Sequence, residues 1–327
     1  MKKILFFVVM CCFIHANASA GQELSCDKVE TFYQTHQFDC IDKLLKALDK
    51  MDNPKLDPNR IQNQIGFLAA IFTSYPDKID SILDKQVSKN SQSALIGALY
   101  RAGMLDEAAV YADKVDMATL LNSYKKSPLP LLNKTYSQYN PGDNDFLIGA
   151  FMATGDKSYI ENVLHQYGEA DDKIVRYALR IAAMQGKFGS TLLPAKRKEE
   201  YIKQHKELPL KALVNRERWK QNPKEMLQTL TMSSAFWALS SLTKEHKPIA
   251  ETLTHFFGDD KRLNLIAREE ANNFSNYIML SIVMPAMAQS KSEEQKEFAQ
   301  KVEIFLTDYE NFKVVKPFDL KPKEKKQ

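Results

Sequence analysis

The sequence predicts an all-α protein: an irregular array of helical hairpins, tetratricopeptide-like in architecture, behind a cleaved N-terminal signal peptide. Three observations predict it. Apolar residues recur at helical spacing, while alternating β-branched runs and Asn-Gly or Asp-Gly hairpin turns are scarce. Glycines and prolines fall where such helices would stop and start. A short block also recurs. ALIGALYRAG at 94–103 and FLIGAFMATG at 146–155 share Leu-Ile-Gly-Ala and close alike on glycine.

The leader comes first. Met1-Lys2-Lys3 is positive, Ile4 to Ile14 is apolar, and Ala16-Asn17-Ala18-Ser19-Ala20 ends in the small-x-small pattern of a signal peptidase site. The apolar run falls short of the roughly 20 residues that a spanning helix needs. Lipid attachment needs a small residue before the cysteine, whereas Met10 precedes Cys11 and Cys11 precedes Cys12. Residues 1–20 are therefore expected to be removed, leaving an exported protein that starts at Gly21. Periplasm is the first expectation and secretion the second. Of four cysteines only Cys26 and Cys40 then remain, and an oxidising compartment favours a disulfide between them. One unbroken helix would hold that pair about 20 Å apart, too far for a disulfide. The chain must turn between them, and Thr35 to Asp39 is the expected place.

The first hairpin follows. Asp57-Pro58 reads as a cap and first turn, and Ile61, Ile65, Leu68 and Phe72 share one helical face. Ser74-Tyr75-Pro76-Asp77 reads as the turn before Ile79, Ile82 and Leu83. In the second hairpin, Gly103 precedes the helical stretch Met104 to Ala109. In the third, Asp156 caps a helix bearing Ile160, Val163, Leu164 and Tyr167. A fourth spans Met226 to Leu242 and Ile249 to Phe257; Lys247-Pro248 opens its second helix, and Ile249, Leu253 and Phe256 form its face. Gly103, Gly155 and Gly258 stand where left-handed helix ends are wanted.

An Ile-Gly pair sits inside the first helix of three hairpins: Ile65-Gly66, Ile96-Gly97 and Ile148-Gly149. Glycine there costs about 1 kcal/mol against alanine, so close approach of a neighbouring helix is the expected reason. The pairs recur after 31 and then 52 residues. The first spacing suits two helices; the second leaves room for another, expected within Asp116 to Tyr139.

Domain organisation follows from composition. Residues 21–186 form an N-terminal helical-repeat region. Gly186, Gly189 and Pro194 break the pattern, so 187–221 is a charged linker or, alternatively, a connecting helix in one continuous solenoid. Residues 222–311 form a C-terminal helical region. Residues 312–327 form a basic tail, with the low hydrophobicity and prolines of a disordered segment.

Three stretches carry a resemblance. Ile65-Gly66-Phe67-Leu68 with Tyr75-Pro76-Asp77-Lys78-Ile79 resembles a "GFL…NPDKI" block. Gly149 to Asp156 with Tyr159-Ile160 resembles "GAFFATGD…YI", and Ala238-Leu239-Ser240-Ser241 before His246-Lys247-Pro248 is similar to "WSL…QHP". These blocks belong to a family of exported proteobacterial proteins without an assigned activity. The resemblance implies an exported helical protein and contributes no catalytic residue.

Loss of Lys2 and Lys3 lowers the formal net charge from +4 to +2. The basic residues cluster around Lys196-Arg197-Lys198 and in the tail. A nucleic-acid surface would need a broader basic stripe with interleaved aromatics, so no nucleic-acid partner is expected. No apolar run after the leader reaches spanning length, so no integral membrane segment is expected.

Catalytic patterns are weak. His246, Glu251 and His255 are candidate metal ligands, but His-Glu-x-x-His is absent and no metal is expected. Ser123-Tyr124-Lys125-Lys126 and Ser241-Leu242-Thr243-Lys244 match Ser-x-x-Lys without the Lys-Thr-Gly that accompanies it in penicillin-binding enzymes. Gly-x-Ser-x-Gly, Walker and dinucleotide patterns are missing from the sequence, so no cofactor is expected and the balance leans away from an enzyme. Tyr277 to Met287 is apolar and methionine-rich, with Pro285 to kink or end it. Trp237, Met279, Met284 and Met287 are the expected partner groove.

The function expected is an exported scaffold binding another protein of the cell envelope, in its most concrete form an accessory subunit of an envelope-spanning secretion complex. The alternative is a protein that binds or remodels cell-wall glycan, which calls for an acidic, aromatic-lined cleft and a carboxylic acid of raised pKa. A third reading is a secreted effector with a host partner.

Overall fold

The computed structural model describes residues 29–51, 61–134, 140–189, 221–243 and 245–274. Among the described residues all regular structure is helical, as the periodicity predicts. The chain divides into two compact units. The first holds the described residues up to Asn133 and Gly149–Gly155; the second holds Lys134–Ile148 and the described residues from Asp156 onward.

In the first unit, α1 (Phe32–Thr35) ends on His36, whose φ of 52° is left-handed, and His36 N donates to Phe32 O at 2.7 Å. α2 (Asp39–Asp49) begins three residues later, so the chain turns where the sequence places a turn. Phe32 is fully buried and meets Phe38 and Phe67 edge-on, each at 5.4 Å between ring centres. α2 buries Ile41, Leu44, Leu45 and Leu48, one helical stripe.

α3 (Gln62–Ser74) differs, because every residue from Ile65 to Phe72 is buried. A helix apolar all round belongs in the middle of a core. A 3-10 turn (Pro76–Lys78) leads from it into α4 (Ile79–Leu83). α5 (Lys89–Arg101) packs along α3 and also meets α2 and α6 (Leu105–Lys114), and α7 (Ala118–Lys126) covers α5 and α6. α7 lies within Asp116 to Tyr139, where an additional helix is expected.

Ser88 caps α5, and Asp49 at the end of α2 accepts from Ser91 Oγ at 2.5 Å and from Ser88 N at 3.1 Å. Burial alone would raise the Asp49 pKa. The Ser88 and Ser91 donors outweigh it and hold the carboxyl below its usual range.

Two of the Ile-Gly pairs meet here. A Cβ on Gly97 of α5 would lie 3.2 Å from the Ile65 side chain of α3. In α8 (Pro141–Thr154), whose last residues belong to this unit, a Cβ on Gly149 would lie 1.9 Å from Asn63 O and 3.0 Å from Phe67 N. The close approach is backbone against backbone. Gly103 and Gly155 take φ of 83° and 70°, the left-handed ends expected of them.

The second unit contains the start of α8, α9 (Lys157–Glu169), α10 (Asp172–Gly189), α11 (Pro223–Leu242), α12 (Lys247–Asp259) and α13 (Lys261–Phe274). α10 lies against α11 and α13, and α12 packs on α9 and α13. Asp156 caps α9 by accepting from Ser158 N at 2.9 Å. Ile160, Val163, Leu164 and Tyr167 are all buried. Pro248 sits in the first turn of α12, with His246 rather than Lys247 at the cap position.

Three expectations are corrected. Gly258 does not end its helix; α12 runs one residue further, and Asp260 accepts from the Arg262 and Leu263 amides to start α13. Gly186 does not break the pattern either, because α10 continues through it to Gly189. On α12 the core position is Phe257, fully buried, while Phe256 is half-buried.

The expected signal peptide, Asp57-Pro58, the stretch 190–220 within the expected linker, and the expected basic tail lie outside the described residues. No helix among the described residues is long and apolar enough to cross a membrane.

Candidate functional site

Trp237 lies half-buried in the middle of α11. Met279, Met284 and Met287 lie outside the described residues, so the expected groove is represented by Trp237 alone. Cys40 is fully buried on α2, and Cys26 lies outside the described residues.

The three candidate metal ligands are otherwise placed. His246 is fully buried ahead of α12. Glu251 binds Lys157 at 2.5 Å and Lys247 at 3.6 Å, and these lysines hold its carboxyl below the usual range. His255 is exposed and meets Asp259 at 3.3 Å. Among the described residues no group of three His, Cys, Asp or Glu side chains is placed to hold a metal. Ser123 and Ser241 each donate to their own helix, to Leu120 O at 2.6 Å and Ala238 O at 2.7 Å. Lys244 lies outside the described residues.

The second unit instead brings together buried polar groups at the start of α8. Asp143 and Asn144 are buried there. Asn144 Nδ2 donates to Thr231 O of α11 at 3.2 Å. Gln166 of α9 donates to Val163 O at 2.8 Å and approaches Asn144 Oδ1 at 3.4 Å. Next in the chain is Asp145. Part of its surface meets solvent, but its carboxyl lies deep among protein atoms, and burial pushes its pKa up to about 6. Such an acid keeps its proton under mildly acidic conditions and can donate it.

A second cluster joins α10 to α13. Glu270 is fully buried and receives Arg180 through Nε at 2.6 Å and Nη2 at 2.9 Å, with Arg176 at 3.4 Å. Arg176 also pairs with Glu269 at 2.6 Å. The planar guanidinium matches both carboxylate oxygens, the geometry in which a buried pair holds.

Arg262 closes the exposed end of α9. Its Nη2 donates to Tyr167 O at 2.8 Å and Gly168 O at 3.0 Å, and its Nη1 to Ala170 O at 2.8 Å. In the first unit, the buried Arg101 donates to Gln62 Oε1 at 2.9 Å and to Pro130 O at 2.9 Å, fixing the segment after α7.

None of these groups is a candidate on sequence pattern alone. The available signals were the polar run Asp143-Asn144-Asp145 abutting an apolar block, and Arg176 and Arg180 one helical turn apart.

The chain matches no family model, no curated protein and no solved structure.

Proposed function

We propose that the chain is an exported helical-repeat scaffold that binds another protein of the cell envelope, and in its most concrete form an accessory subunit of an envelope-spanning secretion complex. The observation that carries this reading is the use of the Ile-Gly pairs. Gly97 lies against Ile65, and Gly149 lies against the α3 backbone at Asn63. Close crossing of neighbouring hairpins, as Gly97 makes with Ile65, is what a stacked array requires, and arrays of this kind present extended binding surfaces. The Lys2-Lys3 start, the apolar run and the Ala18-Ser19-Ala20 end support export. The left-handed turn at His36, between the two cysteines in sequence, supports a Cys26–Cys40 bridge.

The test is crosslinking in intact cells at native level, followed by purification and mass spectrometry. The expected result is one reproducible envelope protein, weakened when Trp237 is changed to alanine in a variant that keeps its thermal midpoint. Recovery of free protein alone, or of wall glycan, overturns the scaffold reading.

Asp145 favours a second reading, action on cell-wall glycan, because a carboxyl with a pKa of about 6 suits a general acid. Purified protein incubated with isolated wall sacculi would then release soluble fragments. Release should fall at least a hundredfold in Asp145→Asn, and equal release by both proteins sinks this assignment.

A further inference from the structure

We draw no further inference here: the strongest candidate, the buried polar cluster of Asp143, Asn144 and Asp145 at the start of α8, belongs to the site already described, and it is an acidic cluster with no second observation pointing to a ligand.

Discussion

At Gly149 a single hydrogen atom sets the distance between two helices. A methyl group there would sit 1.9 Å from Asn63 O, and a backbone carbonyl cannot swing aside as a side chain can. Gly149→Ala is expected to cost about 3 kcal/mol, the upper part of the usual range for overpacking. Gly168→Ala meets nothing within 4 Å and should gain a few tenths to about 1 kcal/mol. Urea unfolding midpoints of both variants check the contrast; a neutral Gly149→Ala would show that α3 and α8 do not pack this closely. Asp145 is the second residue with a measurable signature. Its folded pKa of about 6 lies above the unfolded value of 3.8, so the native state holds the extra proton between them. Stability from this group is complete below pH 4 and is lost as pH rises through 6, on the order of 3 kcal/mol in all. Asp145→Asn should flatten the denaturation midpoint between pH 4 and 7, and an unchanged profile would exclude the shift. The glycines of the Ile-Gly pairs were legible because glycine inside a helix needs a reason. Asp145 was not, since burial of a carboxylate depends on what folds over it.

At the scale of the element, what locks helices together is the contact the sequence hides best. Arg176, Arg180 and Glu270 read as solvated charges along the chain, yet Glu270 is fully buried between the two arginines, about ninety residues away in sequence. Glu270→Ala strands two partly buried guanidiniums and should cost about 3–5 kcal/mol. Glu251→Ala removes a pair with Lys157 that is open to solvent, so its cost should stay within about 1 kcal/mol. Chemical denaturation of the two variants side by side gives the comparison, and equal losses would mean that the α10–α13 pair is as wet as the α9–α12 one. Helix existence was legible from periodicity and caps: Asp156 caps α9, and Pro248 lies in the first turn of α12. Helix ends were less so. Gly258 looked like a stop, but the Asp260 side chain, two residues on, made the better boundary by capping α13.

For the whole molecule, helical periodicity and the scarcity of strand signals indicated the helical class, and the division into compact units came from contacts between residues far apart in sequence. α10 and α11 pack along each other although residues 190–220 separate them in sequence, and no local pattern announces such a pairing. The proposed bridge is testable at this scale. Closing a loop of about 15 residues is worth roughly 3 kcal/mol, so reductant should lower the stability of the protein by that order. In Cys40→Ala the difference between oxidising and reducing buffer should vanish; equal stability of the unmutated protein in both buffers would remove the bridge. Because the first compact unit takes its final residues, Gly149–Gly155, from beyond a stretch that belongs to the second, it is discontinuous along the chain. A ribosome or an export channel delivers residues in order. The α3 surface that receives Gly149 therefore waits bare while residues 134–148 emerge. A nascent chain halted near residue 140 should be cut readily by protease at α3, and one extended well past residue 155 should resist.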